Sequence, residues 1–194
     1  MQANVADLRC ALDKAHEIKE KANEAYKQKD FSTAMRFYHQ TVLEIKGLVE
    51  KPNMAAMLGM LQEEKPVVES DAPSTPEELL KKEGIELIAK CYNNLAACIL
   101  NGPVRKQQDY LRAVTYCDKV LAKEPDNQKA IFRKGCAYKM AEKYEKAIEQ
   151  FKQCPQNIQA LALLKECRLK EKEEDKKRDA QMRANFAKQR LFCE

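Results

Sequence analysis

The chain has 194 residues, of which 44% are hydrophobic and 34% are charged, and this balance suits one domain with a sizeable core and exposed charged helices. Glycine (5) and proline (7) are scarce and tryptophan is absent, so the composition favours helix and gives almost no strand signal. The formal net charge of +5 is modest, and basic residues alternate with Asp and Glu, which argues against a nucleic-acid-binding protein.

The N-terminal part of the chain predicts a helix hairpin after a lead of residues 1–13. Through residues 14–48, apolar and small residues recur at helical spacing, with a turn predicted at residues 28–30. These residues are Ile18, Ala22, Tyr26, Phe31, Ala34, Met35, Tyr38 and Val42. Residues 47–76 break the pattern with four prolines and a Met-rich patch, and are predicted to be an insertion. The patch consists of Met54, Met57, Leu58, Met60 and Leu61.

The C-terminal part predicts two more hairpins and a long helix. Ser74 or Thr75 followed by Pro76 is typical of a helix start, so a second hairpin is predicted over residues 77–124. A third hairpin is predicted over residues 126–156, beginning near Asn127. Residues 157–190 predict a terminal helix that caps the last hairpin, and its charged stretch at 170–179 is expected to face solvent.

The hairpins share a sequence pattern. The pattern consists of Asn94-Leu95-Ala96, then Tyr110, Ala113, Cys117, Val120 and Pro125. It recurs further along the chain at Gly135, Tyr138, Tyr144, Ala147, Phe151 and Cys154. The period of ~34 residues resembles that of a tetratricopeptide repeat, in which stacked helix pairs bury one another's apolar faces and leave a concave groove. We therefore predict an all-α tetratricopeptide repeat solenoid of three helix-turn-helix repeats plus a long C-terminal capping helix.

Five polar residues are distributed over the first helices of the three predicted pairs. In this fold, the first helix of each pair lines the groove. Lys19 and Asn23 are four residues apart in the first repeat, Asn94 is in the second, and Lys129 and Arg133 are four apart in the third. Three cations and two amides without an acidic residue among them would complement an acidic ligand. A chain end terminating in Asp presents two carboxylates, which Lys, Arg and Asn side chains can hydrogen-bond.

The local strings around these five residues resemble the two-carboxylate clamp of chaperone-binding tetratricopeptide repeat domains. They are Lys19-Glu20-Lys21-Ala22-Asn23, Tyr92-Asn93-Asn94-Leu95-Ala96-Ala97 and Lys129-Ala130-Ile131-Phe132-Arg133-Lys134-Gly135. The resemblance implies a co-chaperone in which Lys19, Asn23, Asn94, Lys129 and Arg133 bind the C-terminal Glu-Glu-Val-Asp of cytosolic Hsp90 and/or Hsp70. The end of the chain, around residues 182–186, looks like that of large immunophilins. The insertion and the missing isomerase domain look more like the tetratricopeptide repeat protein 9 family.

A second interpretation keeps the fold and changes the partner: a scaffold that binds a non-chaperone acidic or helical peptide, with the Met-rich patch as another docking surface. An enzyme is the third, and rests on a thiol such as Cys10 or Cys193. The eight cysteines include no C-x-x-C pair, and Cys98, Cys117, Cys136 and Cys154 fall at small core positions. We expect no catalytic residues, cofactor or metal. No window approaches the ~18 apolar residues of a membrane span, so we expect a cytoplasmic protein.

Overall fold

The computed structural model describes residues 5–49 and 75–191, and within these ranges the chain is helical without a strand. The helices are α1 (Val5–Lys27), α2 (Phe31–Val49), α3 (Pro76–Asn101), α4 (Gln107–Leu121), α5 (Gln128–Met140), α6 (Tyr144–Lys152) and α7 (Ile158–Leu191). They fall into two compact units, unit 1 (Met1–Cys98) and unit 2 (Ile99–Glu194), whose boundary lies in the last turn of α3. The all-α prediction is confirmed.

In unit 1, α1 and α2 form the first hairpin. Its turn lies at residues 28–30, as predicted, and Lys29 adopts a left-handed conformation with φ 62°. The Asp30 carboxylate accepts a 3.0 Å hydrogen bond from the Thr33 amide and so caps the start of α2. Helix α1 begins at Val5 rather than near Lys14, and the buried Leu8 and Leu12 account for this longer helix because they extend its apolar face.

The third helix of unit 1 begins with a reciprocal cap. The Thr75 hydroxyl accepts a hydrogen bond from the Glu78 amide at 3.3 Å, and the Glu78 carboxylate accepts one from the Thr75 amide at 2.9 Å. Helix α3 contacts α1 through Glu83, whose carboxylate lies 3.2 Å from the His16 ring and 3.8 Å from the Arg9 guanidinium. Most of the predicted insertion, including its Met-rich patch, lies outside the described residues.

In unit 2, the four remaining helices pack in chain order, α4 on α5, α5 on α6 and α6 on α7. A short loop precedes α4, in which the Arg105 amide donates to the Tyr110 hydroxyl at 3.1 Å. Helices α5 and α7 each follow a Pro-x-Asn sequence, and the side chains of Asn127 and Asn157 cap them by accepting from backbone amides. Helix α5 begins at Gln128 and α7 at Ile158, each directly after its capping asparagine.

The close approach of α5 to α6 depends on Gly135. A Cβ atom at this position would lie 2.6 Å from Cε1 of Phe151, whose side chain is fully buried. The core around Phe151 extends to α7 and buries Ile131, Ala147, Ile148, Cys154, Ala160, Leu164 and Cys167. The start of α7 therefore covers the last hairpin as predicted, and its charged residues 170–179 are mostly exposed.

Candidate functional site

The polar residues predicted on α1 and α3 are linked through a buried tyrosine of α2. The Tyr38 hydroxyl donates a 2.7 Å hydrogen bond to Oδ1 of Asn23 on α1, and the Asn94 side chain on α3 also hydrogen-bonds this hydroxyl. Tyr38 is only 2% exposed, so the phenol is held by its packing. The three helices of unit 1 thus bring both predicted amides to one hydroxyl group.

Burial fixes the chemical state of that hydroxyl. Removal of Tyr38 from water, together with the nearby thiols of Cys98 and Cys91, raises its pKa well above the ordinary value of 10.0, and the bond from Asn94 opposes the shift only in part. The phenol therefore stays protonated and acts as a donor to Asn23. With its oxygen engaged in this way, the Asn23 amide turns its nitrogen towards the neighbouring side chains of α1.

Lys19 lies beside this pair on α1. Its side chain is 18% exposed, and its Nζ is 3.0 Å from Oε1 of Glu20. The same Glu20 oxygen accepts a 3.2 Å hydrogen bond from Nδ2 of Asn23. These two bonds, first the one from Lys19 and then the one from Asn23, hold the pKa of Glu20 below its usual value. Lys19 and Asn23 can therefore donate to a single carboxylate oxygen.

The two adjacent asparagines of α3 differ in exposure. Asn93 is 8% exposed, while Asn94 is half-buried and bonded to Tyr38. The next two residues, Leu95 and Ala96, are fully buried in the core. Of the two asparagines, Asn94 is therefore the more exposed, and its side chain is the one that hydrogen-bonds Tyr38.

In unit 2, the two predicted cations lie one turn apart on α5. Lys129 is exposed and Arg133 is half-buried. Burial raises the pKa of the Cys117 thiol of α4, and the positive charge of Arg133 nearby opposes this increase. The next residue, Lys134, turns to α4 and forms a 2.8 Å ion pair with Asp118. Helix α5 therefore directs one lysine into an internal ion pair and leaves Lys129 towards solvent.

Sequence reasoning missed two members of the unit 1 arrangement. The repeat pattern predicts Tyr38 only as a core aromatic, but a buried tyrosine hydroxyl needs a hydrogen-bond partner, and this requirement is a usable signal. Glu20 is not one of the five matched positions, even though it lies between Lys19 and Asn23 in the sequence.

Most cysteines of the described residues lie in the core of their unit, whereas Cys10 is exposed. Cys98, Cys117 and Cys154 are buried as predicted, as are Cys91 and Cys167, while Cys136 is half-buried; Cys193 lies outside the described residues. Burial raises the pKa of the Cys91 and Cys117 thiols to about 12 and that of Cys136 to about 11. These thiols are therefore protonated at neutral pH. In the described part of the chain, no group of three His, Cys, Asp or Glu could hold a metal, and no helix has the length and apolar character of a membrane span.

Comparisons with known proteins agree with the repeat fold. No family model matches the chain. Tetratricopeptide repeat protein 9C of Xenopus tropicalis is 32% identical over 127 residues, which are 65% of this chain and 63% of that relative's length. The C-terminal TPR-containing domain of an FK506-binding protein of Plasmodium falciparum superposes with a TM-score of 0.65 at 22% identity, covering 89% of this chain and 99% of that domain. The TPR domain of Arabidopsis OM64 has a TM-score of 0.50 at 23% identity, covering 81% and 97%. The predicted tetratricopeptide repeat fold is thereby confirmed.

Proposed function

We propose that this chain, which has a tetratricopeptide repeat fold, is a non-enzymatic adaptor that binds an acidic C-terminal peptide. The peptide is the Glu-Glu-Val-Asp end of Hsp90 and/or Hsp70, so the protein would act as a cytoplasmic co-chaperone. Lys19, Asn23 and Asn94 of unit 1, with Lys129 and Arg133 of unit 2, are the proposed ligand-binding residues.

The observation that carries the proposal is the hydrogen-bonded set around Tyr38. Asn23 and Asn94 come from helices that are far apart in sequence, and both use the same buried hydroxyl. Lys19 adds a cation at a carboxylate oxygen that Asn23 also contacts. An amide held in one orientation next to an ammonium group suits a carboxylate, because the charge-assisted hydrogen bonds form without a further loss of side-chain freedom.

The cations of α5 supply the second part of the proposal. Lys129 and Arg133 are one turn apart on the same side of the helix, and Lys129 is exposed while Arg133 is half-buried. A peptide ending in Asp carries a second carboxylate, and these two cations would bind it.

The test is a calorimetric titration with a peptide ending in Glu-Glu-Val-Asp and with the same peptide amidated at its C-terminus. We expect micromolar binding of the free acid, about −8 kcal/mol, and at least a tenfold loss on amidation, because the amide lacks one of the two charges. Affinity should also fall as salt is added, since the exposed part of the interaction is screened.

Two variants locate the contact. Arg133→Ala and Lys129→Ala should each weaken binding by about 2–5 kcal/mol if the contact is desolvated. Lys134→Ala is the matched control, because it removes one positive charge from the same helix while its ammonium group is engaged by Asp118. Equal affinity for the two peptides, or no loss in Arg133→Ala and Lys129→Ala, would contradict the carboxylate clamp and favour the scaffold function.

A further inference from the structure

Glu20 is an acidic side chain that contacts two of the proposed ligand-binding residues of unit 1, Lys19 and Asn23. Its Oε1 accepts from Nζ of Lys19 at 3.0 Å and from Nδ2 of Asn23 at 3.2 Å. Both donors therefore converge on one carboxylate oxygen, and that oxygen belongs to the protein. A ligand carboxylate that used the same two donors would need the position that Glu20 Oε1 takes.

The exposure of the three side chains indicates which of them can move. The Glu20 side chain is 68% exposed, whereas that of Lys19 is 18% exposed and Asn23 is tied to the buried Tyr38. An exposed ion pair is weak, because water and salt screen it and both side chains lose freedom when it forms. Glu20 can thus rotate into solvent while Lys19 and Asn23 keep their places.

We infer that Glu20 is an internal competitor: its carboxylate occupies the anion position formed by Lys19 and Asn23, and a ligand carboxylate must displace it. The inference rests on the proposed function. Exchange of one carboxylate for another at this position contributes little net affinity, and after displacement the Glu20 charge stays near the ligand and repels it. The chain would therefore bind a terminus with two carboxylates and discriminate against one with a single carboxylate.

The experiment compares Glu20→Gln with the wild-type protein in the titration with the Glu-Glu-Val-Asp peptide. Glutamine keeps the size of the side chain and removes its charge, so we expect binding to tighten about three- to tenfold. Glu24→Gln is the matched control, because it makes the same charge change one turn along α1, where the carboxylate contacts Gln28 and Lys27. This control should change affinity less than twofold, and circular dichroism should show the same helix content in all variants.

A double-variant cycle separates competition from a general charge effect. In a Lys19→Ala background the gain from Glu20→Gln should shrink to below twofold, because the position for which Glu20 competes is no longer formed. The inference would be overturned if Glu20→Gln bound the peptide with the same affinity as Glu24→Gln, or more weakly than the wild type. The adaptor proposal would still stand in that case, provided that the wild type distinguishes the free from the amidated peptide. An absence of binding by the wild type and both variants would overturn the two proposals together.

Discussion

The hairpins α1–α2 and α5–α6 share one turn geometry but differ in what they hold. Lys29 and Glu142 both have positive φ, 62° and 57°, and the backbone hydrogen bonds around them follow the same offsets. In that register Tyr38 corresponds to Phe151. Tyr38 therefore adds a hydroxyl that Phe151 lacks, and this hydroxyl hydrogen-bonds the Asn23 amide.

In the same register, a small residue lies at the matching position of the first helix of each hairpin. Ala22 of α1 corresponds to Gly135 of α5, and both are buried. The comparison teaches that the repeat frame is set by the turn and by small-to-aromatic packing, whereas the polar chemistry depends on single atoms added to that frame.

The largest effect is expected where that packing is tightest. Gly135→Ala should reduce the free energy of unfolding by about 1–3 kcal/mol, because its Cβ would lie 2.6–3.0 Å from three ring atoms of the buried Phe151. Chemical denaturation of the purified variant measures this loss. Gly47→Ala is the control, since a Cβ there meets nothing within 4 Å and should be neutral or stabilising. Equal stability of the two variants would contradict the close packing of α5 on α6.

A second test compares the units through their buried thiols at high pH. The pKa of Cys91 in unit 1 and of Cys117 in unit 2 rises from 9.0 to about 12 on burial, so the folded state keeps protons that the unfolded chain releases. Stability should be unaffected by these thiols below pH 9 and fall from pH 9 towards pH 12.

Each thiol should contribute a loss of about 1.4 kcal/mol per pH unit within that window. Thermal unfolding between pH 8 and pH 10.5 measures the slope, and Cys91→Ala and Cys117→Ala should each make it shallower. An unchanged slope in both variants would show that other groups cause the alkaline loss.

A smaller effect is expected from making the first hairpin like the second. Tyr38→Phe should lower the free energy of unfolding by about 1 kcal/mol, because Asn23 and Asn94 lose their shared hydroxyl. Under the adaptor proposal, affinity for the Glu-Glu-Val-Asp peptide should fall several-fold as the two amides gain freedom. Wild-type affinity in Tyr38→Phe would mean that the phenol does not orient the amides.

The smallest effect concerns the two turns. Glycine adopts positive φ without strain, so Lys29→Gly and Glu142→Gly should each leave stability unchanged or raise it by up to about 1 kcal/mol. Differential scanning calorimetry can detect such a change. A clear loss of stability in one variant alone would show that the two turns are not equivalent.

Much of the fold could be predicted from the sequence because its signals are local. The 28–30 turn, the Thr75 cap and the Asn127 start of α5 follow from spacing and capping chemistry. The left-handed conformations of Lys29 and Glu142 could not be predicted, since neither residue type favours positive φ and the surrounding packing imposes it.

The candidate site divides in the same way. Lys129 and Arg133 share a face of α5 by spacing alone, so their placement needed no tertiary information. The Asn23–Tyr38–Asn94 link depends on three helices meeting, and no pattern within one helix predicts it. The contacts of Glu20 could not be predicted either, since they depend on side-chain rotamers, which the sequence does not specify.

The shared phenol also gives this molecule an optical reporter. Because the chain has no tryptophan, its near-ultraviolet emission comes from tyrosine, and the emission of a phenol depends on the hydrogen bonds of its hydroxyl. Tyr38 is bonded to Asn23 and Asn94, so any event that turns either amide should alter its fluorescence lifetime. Occupancy could thus be followed in the unlabelled protein, with Tyr38→Phe as the reference that keeps the other six tyrosines and lacks this phenol.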